Sequence, residues 1–265
     1  MKVTDTKYTV LTMNVGSYEI IHPVLEKSPR ARYVLVTDDP DLKDESNTWE
    51  VIYDPELSGS PIDRTYQIRY NPFKYTDDKY VIKIDGSVGV MKNIDKLIDK
   101  FIENGDDISL MLHPGRNTLY DEYVAWVSSR GYSADNANMI LNFLQNMEGY
   151  NVRNYKGLCQ LCYAIQKNDR VNNDLNRMVY AWIKYLGDKS GIERVDQCIF
   201  SFIAQKYFNT MKIMWVDQRM YCGEYFEWYQ HNSNEPFKHI EDPKDMIEPY
   251  WNNKRVHKAI RPQDL

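Results

Sequence analysis

The run Lys-Tyr-Val-Ile-Lys-Ile-Asp-Gly-Ser at 79–87 puts a carboxylate where an apolar segment stops. Val81, Ile82 and Ile84 have the composition of a buried strand, and Asp85-Gly86 ends it. Ligands and metals in open α/β sheets are held at the carboxyl ends of strands, so Asp85 is a candidate site residue. Gly86 lets the backbone approach a phosphate closely, and Ser87 adds a hydroxyl. An Asp that merely opens a turn has the same local pattern, so its neighbours must decide. Upstream, Arg64, Arg69 and Lys74 form either a solvated face or a cationic patch for a diphosphate, which guanidinium geometry suits. His113-Pro114-Gly115-Arg116 follows another apolar run, so His113 and Arg116 are candidates for ligand contact at a strand end, or His113 is simply a turn residue before Pro. Asp196-Gln197 opens a helical stripe of apolar residues at 195, 198, 199, 202 and 203. Cys159 and Cys162 have zinc-like spacing, but no second pair matches it, and both read as small packed hydrophobes in a strand over 157–165.

These groups need a scaffold. Strands are predicted at 8–13, 32–37 and 48–53, each running into polar residues, with 20–27 as a helical crossover between the first two. A helix over 63–70 stops at Pro72, and Asn93 caps another that ends at Asn104-Gly105. After a strand at 108–112 the pattern turns mainly helical. Thr118 and Asp121 have capping-box spacing for a helix ending at Arg130-Gly131, and further helices are expected at 136–147, 174–186 (stopped by Gly187) and 194–208. Strands at 158–165 and 212–216 interrupt them. This order predicts an α/β fold: a single Rossmann-like domain with a mixed, mainly parallel central sheet flanked by helices and a helical C-terminal half. Residues 1–235 form that domain, and 236–265 are expected to be a loosely attached extension.

The chain has 265 residues, enough for a large core, and a net charge of −5, which argues against a dedicated nucleic-acid binder. Six Trp and 21 Tyr suit either an aromatic core or a sugar-binding cleft. No signal-like segment and no apolar run of about 18 residues is present, so a cytoplasmic protein without a transmembrane segment is expected. Lys254, Arg255, Lys258 and Arg261 make the end basic, either as a solvated tail or as a peripheral contact with a membrane or partner.

The segments TMNVGSYE, VLVTDD, DRTYQIRYNPFKY, YVIKIDGSVGV, HPGRNTLYDE and VDQ, in that order over 8–233, resemble a nucleotide-sugar glycosyltransferase of the GT-A fold. The resemblance is nearest to the glycosyltransferase-like domain, formerly of unknown function, of plant cell-wall proteins and bacterial polysaccharide clusters. It implies transfer of a sugar from a nucleoside-diphosphate sugar such as a UDP-sugar to a saccharide or lipid-linked acceptor, in polysaccharide or glycoconjugate synthesis. Thr12, Asn14, Tyr18 and Asp38 would then cradle the nucleotide. Asp85, with Gly86 and Ser87, would stand in the place of an Asp-x-Asp motif binding Mn²⁺ or Mg²⁺ and the diphosphate, and His231 would complete the metal site. Ser87 replaces the second Asp, and one carboxylate with a hydroxyl is a poor divalent site without a further ligand. The Asp196-Gln197 pair would lie on the acceptor side.

Sugar transfer breaks the anomeric C–O bond through an oxocarbenium-like state and leaves an anionic diphosphate. Arg64, Arg69, Lys74 or a metal would stabilise that leaving group, and Asp196 is the first candidate base, followed by Asp121 and Glu122. Asp121 has an equally good reading as a helix N-terminal acid. A nucleotidyltransferase is a weaker alternative, since NVGSYE has one Gly and no basic residue, and a non-catalytic nucleotide-sugar or carbohydrate-binding module is the other.

Overall fold

The computed structural model describes residues 5–221, 224–236, 250–256 and 259–265. A seven-stranded sheet forms its centre, in the order β3-β2-β1-β4-β7-β6-β8. The strands are β1 (Tyr8–Asn14), β2 (Ala31–Thr37), β3 (Glu50–Tyr53), β4 (Tyr80–Ile84), β6 (Ile108–Leu112), β7 (Cys159–Lys167) and β8 (Ile213–Val216). All neighbours pair in parallel except β7, which is antiparallel to both β4 and β6. Hence β1, β2, β4 and β6 end on one edge, and β7 begins there.

Period-two alternation sorts the strand side chains between two helical layers. Tyr8, Val10, Ile82 and Ile84 pack with Leu97, Ile98 and Phe101 of α2 (Asp95–Asn104). Leu11, Met13, Val34, Val36 and Val81 pack with Ile68 of α1 (Pro61–Arg69). Lys83 and Asp85 share the face of Val81, so the pleat itself aims the Asp85 carboxylate toward α1. The third cluster lies around β6, β7 and the helices α3 (Leu119–Ser128), α4 (Ala134–Asn142), α5 (Arg170–Ser190) and α6 (Asp196–Tyr207). Cys159 and Cys162 fall in different clusters, three residues apart on one strand, and both are free buried thiols. Cys222 lies outside the described residues.

Local signals explain most boundaries. Ser60 Oγ accepts from the Asp63 N–H and Pro61 occupies the first turn of α1. Thr118 and Asp121 form the reciprocal capping box of α3, and Gly105 ends α2 in the left-handed region. Three expectations differ. Residues 20–27 form no helix; Val24 instead makes a parallel bridge to Val90 of the short strand β5 (Val88–Val90). The helix beginning at 134 passes into a π-helical turn over Phe143–Met147. Gly187 does not stop α5, which continues to Ser190 and is capped by Gly191 at φ 67°.

The described part of the C-terminal extension is docked on the domain rather than loose. Strands β10 (Tyr250–Trp251) and β11 (Lys254–Arg255) form a hairpin whose Trp251 ring lies 4.9 Å from Trp215 of β8. Ile260 bridges Val216 in parallel and so extends the sheet edge. Lys254, Arg255 and Arg261 are exposed, and Lys258 lies outside the described residues. Among the described residues no helix is long and apolar enough to cross a membrane.

The α5 boundary is open to test by denaturant melts. Gly187→Ala, inside the helix with its new Cβ 3.4 Å from the Ile192 carbonyl oxygen, should raise stability by about 0.5–1 kcal/mol. Gly191→Ala, forced into the left-handed region, should lower it by roughly 1 kcal/mol.

Candidate active site

The strand ends open into a cavity of about 550 Å³, within the size range of small-molecule sites. Its walls come from the β1 loop, α1, the ends of β4 and β6, the start of β7, and the segment 193–197. Ile62, Thr65, Tyr66 and Arg69 all line it, at the spacing of one face of α1. Arg64 is five residues from Arg69, about 140° around the same helix, and faces elsewhere.

Arg69 is the centre of the wall. One terminal nitrogen donates to Asp85 Oδ1 and the other to Asp196 Oδ2, and Tyr66 Oη donates to Asp196 Oδ1 at 3.2 Å. Burial works against the Arg69 charge, but the two carboxylates outweigh it and hold the guanidinium well above its ordinary pKa. Burial raises the Asp85 carboxyl, opposed by Arg69 and reinforced by Asp196. Beneath them Lys83 Nζ donates to the Arg69 carbonyl at 3.0 Å, and burial with the Arg69 charge pushes its amine down to about 7. Lys83 was not legible as a site residue, since it looks like an ordinary position in a strand.

The β1 loop brings a second group. Asn14 Nδ2 donates to the Glu19 carbonyl at 2.7 Å, and its Oδ1 accepts from the Glu19 N–H. Asp38 accepts from the Gly16 N–H at 2.9 Å and from Arg64. Asn14, Asp38 and Arg64 therefore shape the loop from outside the cavity, and the loop presents Tyr18 and Glu19 to it. Pairing of β5 with β9 (Phe226–Trp228) carries the following turn to the same place. There Trp228 Nε1 donates to Ser87 Oγ at 3.2 Å, and His231 is paired with Glu19 and lies 5.1 Å from the Tyr18 ring. The hydrogen bond to Glu19 raises the His231 pKa. Gly86 is required here by space, because a Cβ would lie 2.5 Å from the Met13 carbonyl oxygen.

The opposite wall holds His113, Arg116, Arg130, Gln160 and Gln197, while Arg194 lines the cavity within reach of His231. Buried Glu122 accepts from both Arg116 and Arg130, the latter at 2.8 Å. Burial and the two arginines push His113 down to about 3. Gln197 Nε2 donates to Gln160 Oε1 at 3.2 Å, while its own Oε1 is buried without a partner among the described residues.

Thus the cavity gathers Tyr18, Arg69, Asp85, Gly86, Ser87, His113, Arg116, Asp196, Gln197 and His231 from the sequence-predicted set. Six others are placed elsewhere: Asn14, Asp38 and Arg64 behind the β1 loop, and Lys74, Thr12 and Asp121. Lys74 is bound by Asp54 and Glu56. Thr12 faces a small cavity behind Gly86, with His22 and Trp49. Asp121 Oδ2 accepts from the Asn117 and Thr118 N–H groups at 2.8 and 2.7 Å, as the helix cap. Glu19, Tyr66, Arg130, Arg194 and Trp228 were missed. Only Tyr66 carried a signal, one helical turn before Arg69.

The residues present do not fit a divalent cation as arranged. Asp85 is engaged by Arg69 and His231 by Glu19, and no cluster of three His, Cys, Asp or Glu able to hold an ion exists among the described residues.

The chain matches no protein-family model and no curated protein. Among solved structures it is similar to mouse xyloside xylosyltransferase 1 in its apo form, at 12% identity and a TM-score of 0.47, over 81% of this chain and 86% of that one. A likeness of that degree says nothing about activity.

Arg69→Met should lower stability by about 3 kcal/mol at pH 7, because buried Asp196 and half-buried Asp85 lose their cation. Protonation relieves that loss, so the deficit measured by urea melts should shrink as pH falls below the carboxylate range. Asp121→Ala should cost about 1 kcal/mol through the lost cap and leave ligand binding in the cavity within twofold, as read by titration calorimetry.

Proposed function

We propose that the chain is a glycosyltransferase that uses a nucleoside-diphosphate sugar. The observation that carries the reading is the cavity at the shared strand edge, in which Arg69 joins Asp85 and Asp196 beside the aromatic faces of Tyr18 and Trp228. Aromatic faces suit a base or a sugar ring, and the carboxyl ends of the strands are where open α/β sheets hold a diphosphate. Exposed Arg194 makes no ion pair among the described residues, and its charge reaches His231. Arg194, with His231 beside it as a hydrogen-bond donor and Arg69 behind, receives the leaving group.

In the reaction the acceptor hydroxyl oxygen bonds to the anomeric carbon as the C–O bond to the diphosphate breaks. The electron pair leaves with the diphosphate oxygen, toward Arg194 and His231. Asp196 takes the acceptor proton, since a carboxylate that accepts from Arg69 and Tyr66 still has lone pairs to offer. Asp85 holds Arg69 and faces the donor. The positive charge in this reading comes from side chains.

One observation favours a binding module without turnover instead: both carboxylates are already engaged by Arg69. Nucleotide release from a panel of nucleoside-diphosphate sugars, with chelator and with Mn²⁺, separates the two. A transferase should hydrolyse its own donor slowly with chelator present. Arg194→Gln should lower that rate about a hundredfold with little change in melting temperature. Binding without release above background would select the module, and no binding of any nucleotide sugar would reject both.

A further inference from the structure

We infer that the wall formed by Arg116 and Arg130 is a subsite for an anionic group on the acceptor, a carboxylate or a phosphate. The inference rests on the cavity being a glycosyl-transfer site. Two guanidiniums converge on a single carboxylate, Glu122, which is 1% exposed. Asp121 is a second carboxylate whose charge reaches Arg116, but its Oδ2 is taken by the Asn117 and Thr118 N–H groups, so the two half-buried arginines share Glu122 as their ion-pair partner and each keeps donors to offer the cavity.

The hydrogen bonds point the same way. The His113 ring is approached by two donors, the Gly115 N–H at Nδ1 (3.1 Å) and Arg116 Nε at Nε2 (3.0 Å). A neutral imidazole has one nitrogen lone pair, so it can accept only one of them. The exposed Gly115 N–H has water available, so the lone pair goes to Arg116, and His113 together with Glu122 holds that guanidinium on the cavity wall. Beside it, Gln197 Oε1 is a buried acceptor facing the cavity without a donor among the described residues, the complement of a sugar hydroxyl. A wall that offers cationic donors next to an unused acceptor fits a sugar carrying both an anion and hydroxyls.

Position separates this subsite from the donor. Asp85 follows β4 and His113 follows β6, and β7 lies between them in the sheet. Two strand spacings make about 10 Å, enough to hold the anion on the acceptor rather than on the departing diphosphate.

Titration calorimetry with two matched pairs tests this: an oligouronide against its methyl ester, and a hexose 1-phosphate against the parent hexose. The charged member of at least one pair should bind about tenfold tighter or more, the range of a charge-assisted hydrogen bond. A preference confined to the uronide identifies a carboxylate, and one confined to the sugar phosphate identifies a phosphate. Arg130→Gln, in which Glu122 keeps Arg116, should reduce the preference to less than threefold while nucleoside diphosphate binding stays unchanged. Arg116→Gln is the second variant. The inference is overturned if neither pair shows a preference, if no probe binds at millimolar concentration, or if the preference survives both substitutions. It is also overturned if Arg130→Gln weakens nucleoside diphosphate binding equally, which would place the arginines in the donor site. An anion preference without any nucleotide-sugar binding would leave the subsite standing and reject the transferase reading instead.

Discussion

The guanidinium of Arg69, shared between Asp85 and Asp196, is the constraint on which the site depends. Its three members come from α1, the end of β4 and the start of α6, elements far apart in the chain. Each carboxylate would be expensive to bury alone, and the planar fork of arginine can meet two of them in defined directions. A buried ion network of this kind contributes modestly to net stability, because desolvation offsets most of the attraction. Its main effect is on register: α1 must present the 62/65/66/69 face to the sheet edge, and α6 must begin where its first residue reaches Arg69.

Around that anchor the sheet edge distributes charge unevenly. Glu19 and Asp85 gather at the β1 and β4 side, where His231 and Arg194 supply the opposing charge. At the β6 side, Arg116 and Arg130 outnumber Glu122. The antiparallel strand β7 lies between the two groups and contributes Gln160, a neutral residue, to the floor. Such an arrangement gives the two sides of one cavity different charge balances. The narrow approach of Gly86 to the Met13 carbonyl holds the β1 loop and the β4 end together on the first of these sides.

Much of this framework was legible in local patterns. Apolar runs ending in polar residues mark β1, β2, β4 and β6, and Thr118 with Asp121 marks the start of α3, because these signals involve interactions within a few residues. Phase was the first thing local reading lost: Arg64, Arg69 and Lys74 look like one cluster in sequence, yet the helical rotation and the turn at Pro72 send them to three different partners. Gly187 failed as a stop because tertiary packing of α5 overrides the cost of an interior glycine, and 20–27 failed as a helix because a bridge to β5 was available. Glu19, Arg130 and Arg194 had no local mark, since an isolated charged residue in a loop or at a helix end has the same appearance wherever it points.

What the sequence alone determined is the order of most strands and helices, the alternation that turns Asp85 toward one face, and the cap that begins α3. These follow from backbone sterics, side-chain period and hydrogen bonds between near neighbours. The tertiary structure alone decided that Asp85 and Asp196 share one arginine, that Glu19 takes His231, that Asp121 faces its own helix terminus, and that two arginines press on one glutamate. Those outcomes depend on which groups meet after burial, where the loss of water makes each charge select a partner from across the chain.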